Sequence, residues 1–223
     1  MEPRDLPLYH LVRPAASGAA PPMITLFHGY GSNEEDLFGL TPYLDPRFLV
    51  LSARAPLVLM PSMYAWFEIG FTPDGRIAVD DIQARQAAQI TAQFVEQAIR
   101  AYGADPSRVI VAGFSQGGTM AALTALTRPD LVAGAAVLSG IVPSSIIDEL
   151  PDQNQKALIG KPFLVVHGTH DQVVSIAHGR ASRDFLNRLG VALTYREYPM
   201  AHEISLDALL DLTEWLRGLS VGR

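Results

Sequence analysis

Short apolar runs alternate with longer amphipathic segments along most of this chain. Six runs have the length and composition of strands buried in a parallel sheet. They are Met23–Phe27, Phe48–Ala53, Val109–Ala112, Ala133–Leu138, Phe163–Val166 and Leu193–Tyr198. A seventh run, Tyr9–Val12, is interpreted as an antiparallel edge strand.

Helical spacing of apolar positions fills the intervals between these runs. The longest helical pattern covers about 80–102, with acidic residues at its start and Gly103 at its end, as helix termini favour. A second helix is predicted to begin at Ser115, a third covers about Ile176–Leu189, and the last covers about Leu206–Leu219. Strands and helices that alternate in this way predict an α/β fold with a mostly parallel central sheet and helices on both faces.

Length and composition narrow the class of protein. The 223 residues fit one domain, 1–223, without a large cap domain. A net charge of -6 disfavours a nucleic-acid partner, which would favour a basic surface. The absence of cysteine excludes a disulfide framework and thiolate metal ligands. The charged, proline-containing start is unlike a secretory signal, and the apolar stretches are too short or too charged to span a bilayer, so we expect a cytoplasmic protein without stable membrane insertion.

The sequence around Ser115 carries the clearest chemical signal. Gly113-Phe114-Ser115-Gln116-Gly117 follows the predicted strand Val109–Ala112 and opens a predicted helix. A Gly-x-Ser-x-Gly pattern is weak evidence alone, but in a strand–turn–helix context it predicts a nucleophile elbow, in which the serine hydroxyl stands exposed above the sheet edge. The alternative is an ordinary glycine-rich turn.

A nucleophilic serine needs a base, and the base needs an orienting acid. In an α/β-hydrolase the acid and then the histidine follow the serine along the chain. His202 lies between the last predicted strand and the last helix, and Asp171 follows the preceding strand, so both are expected at the carboxyl edge of the sheet. A metal cluster of Asp171 with His167 and His170 is a weaker alternative, since no further ligands are evident and none is required.

The loop after the strand Met23–Phe27 reads His28-Gly29-Tyr30-Gly31. Its glycines permit the backbone to approach a substrate, so the amides of Tyr30 and Gln116 are the expected oxyanion donors. His28 is interpreted as a structural residue that shapes this loop.

Several motifs, taken together, resemble the phospholipase/carboxylesterase family, which includes acyl-protein thioesterases. The motifs are His28-Gly29-Tyr30-Gly31, Ala65-Trp66-Phe67, Gly113-Phe114-Ser115-Gln116-Gly117-Gly118, Leu138-Ser139-Gly140, His167-Gly168-Thr169-His170-Asp171 and His202-Glu203-Ile204. The resemblance runs from about Leu26 to Leu216 and is similar to the bacterial carboxylesterase branch. It implies the α/β-hydrolase fold, a triad of Ser115, Asp171 and His202, and a homodimer as one assembly option.

The resemblance also predicts the substrate side of the site. It places Trp66 and Phe67 along an acyl groove, and Ile141 and Val142 are further candidates for substrate contact. Two positions depart from the family pattern, with Ala201 in place of a glycine and Glu68 in place of an aspartate.

The expected function is cofactor-independent hydrolysis of a small-molecule ester or lipid-like substrate, with short- to medium-chain acyl groups. A thioesterase or lysophospholipase would use the same machinery, because esters and thioesters form the same kind of tetrahedral oxyanion. A non-catalytic binding protein on a hydrolase scaffold is a third alternative, although such a protein would typically lack part of the triad.

Overall fold

The computed structural model describes residues 2–16, 18–71, 77–145 and 150–221, and these contain eleven strands. In chain order the strands are β1 His10–Arg13, β2 Met23–Phe27, β3 Leu49–Ala53, β4 Leu57–Met60, β5 Met63–Ala65, β6 Ile69–Phe71, β7 Ile77–Val79, β8 Val109–Phe114, β9 Gly134–Leu138, β10 Pro162–Gly168 and β11 Ala192–Tyr198.

Seven of these strands form one sheet in the order β1-β3-β2-β8-β9-β10-β11. Strand β1 runs antiparallel to β3 at one edge, and the other neighbouring pairs are parallel. The predicted parallel sheet is therefore confirmed. Because β2, β8, β10 and β11 are parallel, the loops that follow them lie along the same edge.

Six α-helices accompany the sheet in the described ranges. They are α1 Glu34–Phe38, α2 Asp81–Tyr102, α3 Gln116–Thr127, α4 Asp152–Leu158, α5 Ile176–Arg188 and α6 Leu206–Val221. The predicted cap of α2 is present: the Asp80 side chain accepts from two first-turn amides, and Gly103 ends the helix in the left-handed conformation.

Two apolar clusters cover opposite faces of the sheet, because successive side chains along a strand alternate between faces. On one face Val109 and Val111 of β8 pack against the apolar side chains of α2, α3 and α5. Phe94 of α2 is one of these side chains. On the other face Ile110 of β8 packs with α1 and α6, through residues such as Leu209. These clusters are why helices are needed on both faces.

The segment 57–71 contains three strands, β4, β5 and β6, that are not among the predicted strands. Its first part is the hairpin of β4 and β5, and its second part supplies β6, which pairs with β7. All four residues of β4 are apolar, so its sequence lacks the alternation of apolar and polar residues that identifies a half-buried strand. In the structure none of the four is buried. Helix α4 is likewise not among the predicted helices.

Strand β8 and helix α3 approach each other very closely around the predicted elbow. A Cβ placed on Gly113 would lie 2.1 Å from the carbonyl oxygen of Gly117, and one on Gly117 would lie 1.9 Å from the carbonyl oxygen of Phe27. Both distances are far inside van der Waals contact. Glycine at these positions is thus a requirement of backbone packing between β2, β8 and α3.

We predict that Gly117→Ala lowers the free energy of unfolding by about 1–3 kcal/mol, because a buried backbone must move to admit the methyl group. Gly218→Ala is the matched control, since a Cβ there meets no atom within 4 Å. In helix α6 the control should instead gain about 0.5–1 kcal/mol from higher helix propensity. Urea unfolding of the two variants measures both effects, and equal stability of Gly117→Ala and the wild type would contradict the packing argument.

Candidate active site

Ser115 lies at the turn between β8 and α3, where the chain adopts an unusual conformation. Its φ of 53° and ψ of -119° are sparsely populated for a residue with a side chain. The Ser115 amide donates to the carbonyl oxygen of Leu138 at 2.8 Å, which ties the turn to the end of β9. The structure therefore places the serine in the strained turn that the motif predicts.

The side chains of Ser115, His202 and Asp171 form a chain of hydrogen bonds. His202 Nε2 lies 2.9 Å from Ser115 Oγ, and His202 Nδ1 lies 2.7 Å from Asp171 Oδ2. The three residues follow β8, β11 and β10 respectively, so they meet at the carboxyl edge of the sheet. This geometry lets an imidazole accept the serine proton while a carboxylate orients its other nitrogen.

Asp171 is held by the loop that follows it. Its Oδ1 accepts from the amides of Val173 and Val174 at 2.9 and 2.8 Å, so its other oxygen is directed at His202. The residue is buried, and its charge is balanced by donors rather than by water. An orienting acid needs a fixed position of this kind.

Tyr30 and Gln116 line the same cavity as Ser115. Within the described residues, neither backbone amide donates a hydrogen bond to a protein acceptor. The loop around Tyr30 is anchored on both sides, because Gly31 N donates to the Tyr64 carbonyl at 2.8 Å and Ser32 N donates to the Gly29 carbonyl at 3.2 Å. Both amides are thus available to a developing negative charge.

His28 is fully buried below this loop. Its Nδ1 donates to the Gly29 carbonyl at 2.7 Å, and its Nε2 accepts from the Ala55 amide at 3.0 Å. One nitrogen donates and the other accepts, which requires the neutral ring. Burial lowers the pKa of His28, which agrees with that assignment.

His167 is a second buried histidine beside the acid. Its Nε2 donates to the Val174 carbonyl at 2.7 Å, and burial lowers its pKa. Its neighbour His170 is exposed. Across the described ranges no group of three His, Cys, Asp or Glu side chains is arranged to hold a metal ion.

A cavity of about 250 Å³ opens beside Ser115 and His202. Of the predicted substrate contacts, Phe67 and Ile141 line it. Trp66 and Val142 are not among the lining residues, and both side chains pack in the core cluster on that face of the sheet. The structure therefore does not bring these two residues to the cavity wall, and substrate contact by them stays a prediction.

Sequence reasoning missed other wall residues. They are Ser32, Asp36, Ile69, Phe114, Thr119, Val173 and Val174. Phe114 and Val173 lie close in the chain to the predicted nucleophile and acid, and Thr119 lies one helical turn after Ser115. Their closeness to these predicted residues was the one feature of the sequence that could have identified them. Asp36 and Ile69 carried no comparable signal, since only the folded loops bring them to the cavity.

A seven-stranded α/β sheet with this elbow and cavity defines a serine hydrolase on the α/β-hydrolase scaffold. The sequence model of the family described as Phospholipase/Carboxylesterase matches residues 12–220. The chain belongs to that family.

Relatives within the family carry two kinds of name. The chain is 33% identical over 159 residues to carboxylesterase SOBER1 of Arabidopsis thaliana, covering 70% of this chain and 68% of that protein. It is 28% identical over 211 residues to acyl-protein thioesterase 1 of Kluyveromyces lactis, covering 87% and 90%. The crystal structure of esterase PE8 superposes with a TM-score of 0.84 at 27% identity, covering 95% of this chain and 99% of that one. These relatives support hydrolase activity on esters or thioesters.

Within the residues that the structure describes, no helix is both long enough and apolar enough to cross a membrane.

The two buried histidines of the site, together with buried His10, predict a dependence of stability on pH. Burial lowers the pKa of each below its value of about 6.5 in the unfolded chain. Below that pH the unfolded state binds more protons, so the free energy of unfolding should fall as pH falls from 7.5 to 5. We expect His167→Gln to weaken this dependence and the exposed control His170→Gln to leave it unchanged, as measured by melting temperature. Identical pH dependence in all three proteins would contradict the prediction.

Proposed function

We propose that the protein is a carboxylesterase in which Ser115 is the nucleophile, His202 the general base and acid, and Asp171 the orienting acid. The observation that carries the proposal is the continuous hydrogen-bond chain from Ser115 Oγ through His202 to Asp171 Oδ2. Its position at the mouth of an apolar cavity provides the second requirement, a place for the acyl or alcohol group of a substrate.

In the first step Ser115 Oγ attacks the ester carbonyl carbon while its proton passes to His202 Nε2. The Asp171 carboxylate stabilises the imidazolium that forms. The amides of Tyr30 and Gln116 donate to the oxyanion of the tetrahedral intermediate. Collapse of this intermediate breaks the bond to the alcohol, which leaves with the proton from His202.

In the second step His202 takes a proton from water, which attacks the acyl carbon of the acyl-enzyme. The second tetrahedral intermediate uses the same two amides. Ser115 then leaves and regains its proton from His202, which releases the carboxylic acid. In each step the imidazole first accepts a proton and then donates it.

Cavity size favours short- to medium-chain acyl groups. Its volume of about 250 Å³ is smaller than the range of about 300–1,000 Å³ that holds drug-sized ligands. The walls include Phe67, Ile69, Phe114 and Ile141, which suit a hydrocarbon chain. Thioester hydrolysis is the second candidate, favoured by the relatives that are named acyl-protein thioesterases.

The test is hydrolysis of p-nitrophenyl esters of graded chain length and of matched thioesters. For Ser115→Ala we expect kcat to fall by at least about 10⁴-fold, because removal of a nucleophile disables the whole triad. Ser107→Ala is the control, since Ser107 is exposed and precedes the opposite end of β8. With lengthening acyl chains, kcat/KM should rise by up to about fourfold per methylene until the cavity is full.

Retention of activity by Ser115→Ala would overturn the proposed nucleophile. A wild type that fails to react with a fluorophosphonate probe and with every substrate would favour a binding protein on this scaffold. Higher kcat/KM for thioesters than for the matched esters would establish the second candidate.

Asp36 gives the cavity a charge preference. It contributes the one carboxylate among the described residues that line the cavity, and one of its oxygens accepts from Ser32 Oγ at 2.9 Å. A substrate with a free carboxylate would meet like charge there, whereas a neutral or cationic ester would not. Because Asp36 is exposed, water and salt weaken the effect.

We therefore predict that the wild type hydrolyses a butyrate ester or a choline ester about two- to fivefold faster than an ester with a terminal carboxylate, measured as kcat/KM. Asp36→Asn should reduce this discrimination, and 0.5 M salt should do the same in the wild type. Glu35→Gln is the matched control, because Glu35 is an exposed neighbour outside the cavity wall. A charge preference unaffected by Asp36→Asn would assign it to another group.

A further inference from the structure

The side chain of Gln116 joins the start of α3 to the segment that contains Trp66 and Phe67. Its Oε1 accepts from the Trp66 amide at 2.8 Å, and its Nε2 donates to the Phe67 carbonyl at 2.7 Å. Both bonds are buried, and Gln116 itself is 6% exposed. Gln116, which lines the cavity, is therefore hydrogen-bonded to the backbone of the wall residue Phe67 and of its neighbour Trp66.

Trp66 continues this connection toward the loop that carries Tyr30. Its indole Nε1 donates to the His28 carbonyl at 2.9 Å. The ring packs edge-on against Phe27 with centroids 5.2 Å apart and lies 5.6 Å from the His28 ring. These contacts use both the polar and the apolar surface of the tryptophan, which explains its burial.

His28 completes the connection. Its ring bonds the Gly29 carbonyl and the Ala55 amide, so the start of the Tyr30 loop is tied to the end of β3. A continuous path of hydrogen bonds thus runs from Gln116 through the backbone of Trp66 and its indole to His28. One end of this path is Gln116 itself. The other end, His28, lies two residues before Tyr30 in the chain.

We propose that the side chains of Gln116 and Trp66 are positioning residues that fix the separation of the two oxyanion amides, an inference that rests on the proposed function. Oxyanion donors must lie about 2.7–3.1 Å from the oxygen that becomes charged, so small displacements weaken catalysis. Displacement of about 1 Å by a residue away from the reacting atoms can cost on the order of 100-fold in rate. Trp66 acts through His28 and Gln116 rather than by touching the acyl group.

The principal test compares Trp66→Phe with Trp215→Phe. The first change removes the indole donor to His28 and keeps an aromatic ring in place. The second makes the same change in the chain's other tryptophan, which is partly buried in α6 on the opposite face of the sheet. For Trp66→Phe we expect kcat for p-nitrophenyl butyrate to fall roughly tenfold with KM within about twofold of the wild type. Trp215→Phe should keep wild-type kcat and KM.

A tetrahedral inhibitor separates positioning from structural support. An alkyl boronic acid bonded to a nucleophilic serine presents a charged oxygen to the oxyanion amides, so its affinity should weaken about as much as kcat/KM. Rates are expressed per active site, titrated with a fluorophosphonate, which removes the contribution of unfolded protein. A purely structural role would lower the melting temperature and the titre while leaving kcat per site and boronic acid affinity unchanged.

Gln116→Met is the second variant, in case Trp66→Phe folds poorly. Methionine has similar length but cannot serve the Trp66 amide or the Phe67 carbonyl, so it should lower kcat by about tenfold or more with the same pattern. Either variant with wild-type kcat per active site would overturn the positioning role. A raised KM that depends on chain length, with unchanged boronic acid affinity, would also overturn it and return Trp66 to substrate contact.

Ser115→Ala in the same assays keeps the two proposals apart. If Ser115→Ala retains activity, the proposed function fails and the positioning role fails with it. If Ser115→Ala is inactive while Trp66→Phe and Gln116→Met behave as the wild type, only the positioning role fails.

Discussion

The site depends on the parallel direction of strands β8, β10 and β11. Parallel strands end on the same edge of a sheet, so the loops after them deliver Ser115, Asp171 and His202 to one place although 87 residues separate the first from the last. The hydrogen bonds between these side chains then require the strand ends to keep their relative heights. A shift of β8 against β10 or β11 would lengthen the 2.9 Å or the 2.7 Å contact.

Close backbone packing maintains this arrangement on the serine side. Gly117 brings α3 against the end of β2, which also starts the loop of Tyr30. The elbow and the Tyr30 loop are consequently one packing unit rather than two independent loops. The buried contacts of Gln116, Trp66 and His28 extend that unit to the cavity wall, so the positions of Ser115, the amides of Tyr30 and Gln116, and the wall are coupled.

Few of the side chains in and around the site are acidic or basic. Burial lowers the pKa of His28 and of His167, and buried Asp171 accepts hydrogen bonds from two amides and the His202 imidazole. The surrounding wall is mostly apolar, with Asp36 as an acidic group near its exposed side. An environment of this kind strengthens the hydrogen bonds to a developing oxyanion, and it serves an ester and a thioester alike. The names of the relatives reflect the same ambiguity.

The sequence by itself determined the α/β alternation, the strand–turn–helix context of Ser115 and the loops that hold Asp171 and His202. These features are local: periodicity identifies an element, and a motif such as Gly113-Phe114-Ser115-Gln116-Gly117 contains its own steric requirement. Tertiary structure alone decided that Trp66 and Val142 are not part of the cavity wall while Asp36 and Ile69 belong to it. The segment that contains Trp66 and Ile69 has no clean period, and which side of a loop faces a cavity depends on contacts with residues distant in sequence. Burial of that kind is a property of the assembled sheet and cannot be read from the order of residues.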